Sequence, residues 1–249
     1  MKNIPKYKVV ENYIINLIKS EELKSGDQID TEKQLSDRFK FSPLTINKAI
    51  VNLSNQGYIK RIQGKGSFVT STVITRNSSK ANTFKDDMIA QGIKPGSKLI
   101  CYNLIHASKF PKVAQQLQLD DDDLVHYFER IRTGDGIPHA IVYSYIPAKY
   151  VPSLDVLVLS QSDFSLKHYL QSIGIEGAGS SAILSAALPS EDQLEKLNIN
   201  DCALLKNAHT YYDKNRVPYN YNETYYISSR YQYTILLGNM LEQDANTNE

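Results

Sequence analysis

The chain has 249 residues, 41% of them hydrophobic and 22% charged, which is long enough for two modest domains and ordinary for a globular protein. The first 75 residues carry 12 Lys and Arg against 7 Asp and Glu, whereas the remaining residues carry 16 against 20. This asymmetry predicts a polyanionic partner for the N-terminal part alone. The sequence opens without an apolar leader and has no run of about 20 apolar residues, so we expect a soluble cytoplasmic protein without a membrane span.

Neither the cysteines nor the histidines indicate metal or cofactor chemistry. The two cysteines, Cys101 and Cys202, belong to no C-x-x-C pair, which favours a reduced chain. The five histidines have none of the H-x-x-H, H-x-x-x-H or H-E-x-x-H spacings, and the acidic run 120–123 lacks the oxygen spacing of a calcium loop. We therefore expect neither a metal nor a cofactor.

Three helices and a hairpin are predicted in the N-terminal part. Apolar residues recur at three- and four-residue steps over 6–20, as on one face of a helix. A T-x-x-Q capping box at Thr31 starts a second helix, and Ser42 caps a third that ends at Gly57. β-forming residues on either side of a glycine-rich tip predict a hairpin over 58–69. This order predicts a winged helix-turn-helix, although a three-helix core with an unrelated hairpin has the same pattern.

The tip of this hairpin lies in RIQGKGSFV (61–69) and places a lysine between two glycines. Gly64 and Gly66 supply the positive φ that tight turns need and leave no side chains beside Lys65. Such a lysine can enter the minor groove of DNA, where the negative potential is strongest if the groove is narrow. An exposed turn lysine without this role is the alternative.

The second half of the chain predicts an α+β domain around an antiparallel sheet. Residues 70–83 are rich in Ser, Thr and Asn and predict a linker. Strands are predicted over 98–106, 124–133, 139–146, 181–187, 203–213 and 219–227, and helices over 84–91, 112–117, 164–172 and 191–197. The predicted domains are therefore a winged helix-turn-helix over 1–69, the linker, and a second domain over 84–249.

Two segments of the second domain, 129–150 and 208–231, share one layout of strand, polar turn, Ile/Val-Pro and tyrosine-bearing strand. This echo predicts two hairpins that pack face to face and enclose a cleft. Arg130 and Arg132 are two residues apart in a predicted strand, so both lie on one face. Two guanidiniums on one face are suited to binding an anion, and a solvated face with an Arg130–Glu129 ion pair is the alternative.

Longer segments of the chain resemble a known family. EKQLSDRFKFSPLTINKAIVNLSNQGYIKRIQGKGSFV (32–69) resembles the winged-helix signature of the GntR family of bacterial transcription regulators. FKDDMIAQGIKPGSKL, ERIRTGDGIPHAIVYSYIP and NETYYISSRYQY resemble, in that order, the UTRA effector-binding domain of its HutC subfamily. The resemblance implies an antiparallel, chorismate lyase-like second domain. It also implies a homodimer that binds a palindromic operator in double-stranded DNA and responds to a small metabolite.

The winged helix-turn-helix and the resemblance together indicate which residues bind DNA. The N-terminus of the third helix enters the major groove, where Asn47 is suited to reading adenine. Lys33 matches a position where the family usually has a DNA-contacting arginine. Pro43 and Asn47 stand where relatives commonly have arginine, so we expect an operator richer in A·T than is usual for the family. The predicted DNA-binding residues are Lys33, Ser42, Thr45, Asn47, Lys48, Arg61, Gly64, Lys65 and Gly66.

The resemblance also implies an effector site. Arg130 and Arg132 match positions that help to hold sugar phosphates in UTRA domains, and free N–H groups at the start of a later helix favour a phosphate. Val142 stands where amino-sugar-responsive relatives carry an acidic residue, which argues against an amino-sugar effector. The predicted effector-binding residues are Phe84, Lys85, Arg130, Arg132, Ser165, Lys167, Asn220, Glu223 and Tyr226.

The sequence therefore predicts a metabolite-responsive repressor of a carbohydrate operon, with a sugar phosphate or similar small anion as effector, rather than an enzyme. Two alternatives stay open: a small-molecule enzyme on a chorismate lyase-like fold, and a DNA-binding protein without an effector. The sequence contains no nucleophile elbow, no Walker loop and no dinucleotide-binding G-x-G-x-x-G after a strand. A ligand-induced change in DNA affinity would distinguish a sensor from the second alternative.

Overall fold

The structure, a computed structural model, describes residues 4–20, 22–24, 26–70, 73–77, 83–199 and 202–235. Its contacts divide the chain into two compact units, with the division between Val73 and Ile74. Buried apolar side chains form separate clusters within each unit. Within the described ranges, no helix is both long and apolar enough to cross a membrane.

Three helices and a two-stranded hairpin make up the first unit. The helices are α1 (Lys6–Lys19), α2 (Glu32–Phe39) and α3 (Pro43–Asn55), and the hairpin strands are β1 (Ile59–Ile62) and β2 (Gly66–Val69). The capping box at Thr31 and the N-cap at Ser42 are both present, which confirms the helix starts predicted from the sequence. The order of elements is that of a winged helix-turn-helix.

The core of the first unit comes from the apolar stripes of its three helices. Glu11 is the polar exception at 3% exposed, and it accepts a hydrogen bond from Asn52 Nδ2 at 2.7 Å. Burial raises the pKa of the Glu11 carboxyl, and the bond to Asn52 ties α1 to α3. The buried apolar side chains are Val10, Ile14, Ile29, Leu35, Ile46, Ala49, Ile50, Leu53, Ile59 and Val69.

A six-stranded antiparallel sheet organises the second unit, as the α+β prediction required. The strands of the unit are β3 (Ile74–Asn77), β4 (Pro95–His106), β5 (Leu124–Gly134), β6 (Ile137–Pro147), β7 (Gly179–Ala187), β8 (Leu204–Tyr212), β9 (Pro218–Ile227) and β10 (Tyr231–Thr234). Six of them form the sheet, in the order β4-β5-β6-β9-β8-β7. Its helices are α4 (Phe84–Ala90), α5 (Pro111–Leu117), α6 (Val156–Leu159), α7 (Leu166–Ser172) and α8 (Glu191–Leu197).

Helices cover both faces of this sheet. On one face, α6 and α7 pack with Phe128 and Ile146. On the opposite face, α5 packs with Tyr145 and Tyr221, and α8 packs with Ile141. We call the face that carries Phe128 and Ile146 the α7 face. Because helices cover both faces of the sheet, a ligand has room on the sheet only where no helix packs against the strands.

The segment predicted as a linker, 70–83, contains a strand. β3 pairs in parallel with β10, and Ile74 is fully buried beside Tyr231. The linker prediction was wrong for 74–77, because four residues are too few to show a period and their partner strand lies near the other end of the chain. Residues 71–72 and 78–82 of the segment lie outside the described residues.

The two echoing hairpins lie side by side in one sheet rather than face to face. β6 of the first hairpin pairs with β9 of the second, with Val142 opposite Thr224. The predicted face-to-face packing was therefore wrong. The edge N–H and C=O groups of these two strands need hydrogen-bond partners, and pairing edge to edge supplies them.

Replacing Ile74 with Ala is expected to destabilise the second unit. Its side chain is buried with Met88 and Tyr231, and truncating such a side chain lowers the free energy of unfolding by about 2–5 kcal/mol. Urea unfolding followed by tyrosine fluorescence would measure the loss, since the chain has 17 Tyr and no Trp. The control Val73→Ala, at a neighbouring residue that is 40% exposed, should change the free energy of unfolding by less than about 0.5 kcal/mol. If Ile74→Ala changed this free energy as little as Val73→Ala does, the strand 74–77 would contribute nothing to the stability of the unit.

Candidate functional sites

The hairpin tip of the first unit is held in place by Gln28. Gly64 and Gly66 have φ angles of +73° and +116°, as the sequence predicted for this turn. Gln28 Nε2 donates to the carbonyl oxygen of Lys65 at 3.1 Å, and a Cβ on Gly66 would lie 2.5 Å from the same nitrogen. The backbone of the tip is therefore fixed, whereas the Lys65 side chain is exposed.

Glu32 joins two of the predicted DNA-binding residues. Asn47 Nδ2 donates to Glu32 Oε1 at 3.1 Å, and Arg61 Nη2 donates to the same oxygen at 3.0 Å. The amide and the guanidinium thus share one carboxylate at the start of α2. Any contact of either group with DNA has to compete with this carboxylate.

The remaining predicted DNA-binding residues have different surroundings. Ser42 Oγ accepts from Thr45 N at 3.3 Å and lies 2.9 Å from Thr45 Oγ1, so both hydroxyls serve the N-cap of α3. Lys48 Nζ lies 4.4 Å from the centroid of the Tyr7 ring in α1. Lys33 is exposed in the first turn of α2.

A cavity of about 430 Å³ lies on the α7 face of the second unit. β8 and β9 form its floor, and its walls come from α7, from 175–180 and from the start of α4. Arg76 of β3 also lines it. The cavity brings together six predicted effector-binding residues: Phe84, Arg132, Ser165, Lys167, Asn220 and Tyr226.

Three predicted effector-binding residues, Lys85, Arg130 and Glu223, do not line the cavity. Lys85 Nζ donates to the carbonyl oxygen of Asp163 at 3.4 Å, because the next residue on a helix is turned away from Phe84. Arg130 is 1% exposed, and its guanidinium carbon lies 4.5 Å from the centroid of the Phe164 ring, which covers it. The third residue, Glu223, lies on the opposite face of the sheet.

Glu223 is placed there by the alternation of side chains along β9. Its Oε1 lies 2.8 Å from Lys206 Nζ and 3.3 Å from Lys112 Nζ, and it accepts from the Tyr221 hydroxyl at 2.8 Å. Burial raises the pKa of this carboxyl, but the bonds from Lys206 and Tyr221 outweigh burial and hold the pKa below its usual value. Glu223 therefore belongs to an ion-paired cluster behind the floor.

Arg132 is the guanidinium that reaches the cavity from β5. Its Nη1 donates to the carbonyl oxygen of Phe164 at 3.4 Å, and burial lowers its pKa to about 10. Burial and the neighbouring Arg132 lower the pKa of Arg130 as well. Both arginines contact Phe164, so they lie on one face as predicted, with Arg132 in the cavity and Arg130 behind the phenylalanine ring.

Polar side chains of β8 and β9 face each other along the floor. The cross-strand pairs are Asn207 with Thr224, His209 with Asn222, and Tyr211 with Asn220, and all six side chains line the cavity. The His209 ring stacks on Tyr211 with 4.2 Å between centroids. Burial, and then the charge of Arg76, lower the pKa of His209 to about 4, so the ring is uncharged at neutral pH.

Sequence reasoning missed many residues of this cavity, among them Arg76, Asn207, His209 and Asn222. Arg76, whose Nη1 lies 3.5 Å from Asp87 Oδ2, falls in the segment predicted as a linker. For the others a signal was present, because N-x-H-x-Y at 207–211 and N-x-N-x-T at 220–224 show the two-residue period of a polar strand face.

Both cysteines are free thiols. Among the residues that the structure describes, no group of three or more His, Cys, Asp and Glu side chains is arranged to hold a metal ion.

Known proteins resemble this chain over nearly its whole length. It is 27% identical over 230 residues to the HTH-type transcriptional repressor NagR of Bacillus subtilis (strain 168), covering 92% of this chain and 93% of that protein. It is 25% identical to the Mannosyl-D-glycerate transport/metabolism system repressor MngR of Escherichia coli (strain K12), covering 93% and 95%. The crystal structure of PhnF from Mycobacterium smegmatis has the same fold, with a TM-score of 0.62, 19% identity and coverage of 94% and 99%.

Two family models match the two units. The model of bacterial regulatory proteins of the gntR family matches residues 6–69, and the model of the UTRA domain matches residues 90–232. The first match covers the winged helix-turn-helix, and the second covers the six-stranded sheet and most of the cavity lining. The chain therefore belongs to the GntR family of bacterial transcription regulators, with a DNA-binding winged helix-turn-helix and a UTRA domain that binds a small-molecule effector.

Proposed function

We propose that this chain is a cytoplasmic, homodimeric repressor of an operon for carbohydrate uptake or use. A sugar phosphate or similar small anion in the cavity releases it from its operator. The relatives support this proposal: NagR is named a transcriptional repressor, and MngR a repressor of a mannosyl-D-glycerate transport and metabolism system. The sugar-related name of MngR favours a carbohydrate effector for this chain too.

The observation that carries the effector proposal is the charge of the cavity. The charged side chains among its described lining residues, Arg76, Arg132 and Lys167, are all cationic. Burial lowers the pKa of Arg132 to about 10, so its guanidinium is still charged at neutral pH but has lost part of its hydration, a cost that a bound anion offsets. Three cations around a cavity of about 430 Å³ therefore favour a small anionic ligand.

In DNA binding, the hairpin and α3 have separate tasks. Lys65, on a backbone tip held by Gln28, enters the minor groove. The N-terminal turn of α3 enters the major groove, where Asn47 reads adenine once it leaves Glu32. Leu44 in the same turn is 82% exposed and is suited to contact with the methyl group of thymine.

The link from effector to DNA binding passes through β3. This strand follows the hairpin of the first unit in the chain, and its Arg76 lines the effector cavity. A ligand that attracts Arg76 competes with Asp87 for the guanidinium and shifts β3. In a dimer whose two winged helices must match the half-site spacing, such a shift lowers operator affinity.

Fluorescence anisotropy with DNA from upstream of the chain's own gene, against a scrambled duplex at two salt concentrations, tests the DNA-binding role. We expect specific, salt-sensitive binding to the natural sequence, because phosphate contacts release counterions. Sugar phosphates added to this complex should then lower the anisotropy. Unchanged operator affinity at saturating ligand would contradict release. Turnover of the ligand into a product would favour the enzyme alternative.

Replacing Glu32 with Gln is expected to strengthen DNA binding and to make it more salt-dependent. The change removes the carboxylate that holds Arg61 at 3.0 Å, so the guanidinium can contact a phosphate. One additional phosphate contact steepens the slope of log affinity against log salt by about 0.9. Anisotropy over a salt series measures the slope. Asp37→Asn removes an exposed carboxylate on the same helix and controls for the change in net charge. If both variants changed the slope equally, Glu32 would not restrain Arg61 as described.

Selection of binding sites from random DNA is expected to return half-sites rich in A·T. Proline at 43 and asparagine at 47 offer no guanidinium to guanine, whereas Asn47 and Leu44 suit adenine and thymine. The variant Asn47→Arg should shift the selected bases toward G·C at the contacted position. If the natural chain selected G·C-containing half-sites, the proposed selection of A·T base pairs by α3 would be refuted.

A further inference from the structure

The strand β7 is exposed to solvent along almost its whole length. Ile183 lies on one face of the sheet and is 69% exposed, whereas Leu184 lies on the α7 face and is 38% exposed. Leu188, just after the strand, is 88% exposed. Because β7 lies at one edge of the six-stranded sheet, its outer N–H and C=O groups pair with no other strand of the described chain.

The other edge of the sheet is protected against further pairing, and the β7 edge is not. β4 begins at Pro95, carries the exposed Lys98 and has a β-bulge near its middle, three features that keep another strand from pairing. The segment 179–188, GSSAILSAAL, has no charged residue and no proline, and β7 pairs with β8 without a bulge. An edge of this kind is suited to pairing with a further strand.

We infer that β7 pairs antiparallel with β7 of a second copy of this chain, with Ile183 at the two-fold axis, an inference that rests on the homodimer proposed above. Two identical strands related by a two-fold axis run antiparallel, so the two six-stranded sheets join into one sheet of twelve strands. The occupant is a second copy because an uncharged strand places no like charges opposite each other when it meets itself.

The side chains of β7 fit this register. With Ile183 at the axis, Leu184 of each copy lies opposite Ala182 of the other copy, so a large side chain meets a small one twice on the α7 face. On the opposite face, Ile183 packs against Ile183 of the second copy, which removes apolar surface from water. A register with Leu184 at the axis would instead place Ile183 opposite Ser185 and leave it without an apolar partner across the strands.

The same register places the second copy at the rim of the effector cavity. Ala178 and Ser180 line the cavity at the start of β7, and both are exposed. Leu188 precedes Pro189, and a residue before proline favours an extended conformation, so the alternation of β7 continues to Leu188. Ala178 and Leu188 are equally far from Ile183 along the chain, so Leu188 of the second copy lies opposite Ala178. Each cavity of the dimer therefore includes one leucine from the other copy.

Sedimentation equilibrium of the full chain tests the interface. We expect the natural chain to have about twice the 28.2 kDa mass of one chain. Ile183→Lys should weaken the dimer at least about tenfold, because two lysines would face each other at the axis. Leu157→Lys, at a 77% exposed leucine on α6, is the matched control and should leave the dimer unchanged. Mixing Ile183→Lys with Ile183→Glu should restore a dimer, which misfolded variants could not do.

A disulfide at the axis tests the register. In an antiparallel pair the Cα atoms of opposite residues are about 4.5–5.5 Å apart, which a disulfide can span. Ile183→Cys should therefore cross-link two chains under mild oxidation. Ser185→Cys, exposed on the same face, would lie about 14 Å from its own copy in this register and should not cross-link. The natural chain, with free thiols at Cys101 and Cys202, gives the background.

Reaction with a maleimide tests whether the second copy covers the cavity rim. Ala178→Cys should react several-fold more slowly than the same cysteine combined with Ile183→Lys, because Leu188 of the second copy shields the thiol only in the dimer. Peptide mapping separates this thiol from Cys101 and Cys202. Adding Leu188→Ser to Ala178→Cys should raise the rate while the dimer persists. Equal rates in all three variants would contradict a contribution of the second copy to the cavity.

Three results would overturn the inference: a monomeric natural chain, an Ile183→Lys variant that stays fully dimeric, and equal cross-linking of Ser185→Cys and Ile183→Cys. A monomeric chain would leave β7 to a strand of a different protein and would contradict the proposed homodimer as well. Operator binding, measured in parallel by anisotropy, keeps the two proposals apart. A dimer that binds its operator but is insensitive to Ile183→Lys fails this inference alone. A dimer paired through β7 that binds no specific operator fails the proposed function alone.

Discussion

The alternation of side chains along β8 and β9 is the constraint on which the effector unit depends. Successive residues of a strand lie on opposite faces, so Asn222 and Thr224 face the cavity while Glu223 between them meets Lys206 and Lys112. One register therefore builds both the polar floor of the cavity and an ion-paired cluster behind it. A shift of pairing by one residue would exchange the two surfaces and bury charges in the cavity.

In each unit, the arginine proposed to bind the ligand forms an internal ion pair. In the first unit Glu32 pairs with Arg61, and in the second Asp87 pairs with Arg76. A phosphate that binds either guanidinium replaces a carboxylate, so the net gain in affinity is smaller than the new contact alone suggests. The exchange makes binding selective between ligands, because only a ligand that also pairs with the neighbouring groups displaces the carboxylate.

A short series of contacts joins the cavity to the start of the second unit. Tyr226 lines the cavity and stacks on Tyr231 of β10, with 3.9 Å between ring centroids. Tyr231 in turn lies beside Ile74, because β10 and β3 pair in parallel. A ligand in the cavity would therefore reach β3 by two routes, directly at Arg76 and indirectly through the two stacked tyrosines. This packing gives the proposed link between effector and operator a physical path.

The sequence by itself determined the features that depend on neighbouring residues. The caps at Thr31 and Ser42, the apolar stripes and the glycines of the hairpin tip act within a few residues, so they predicted the first unit closely. The tertiary structure alone decided which residues share the cavity and which carboxylate holds Asn47. Arg76, Asn207 and Arg132 are far apart in the chain, and only strand pairing between distant segments brings them together.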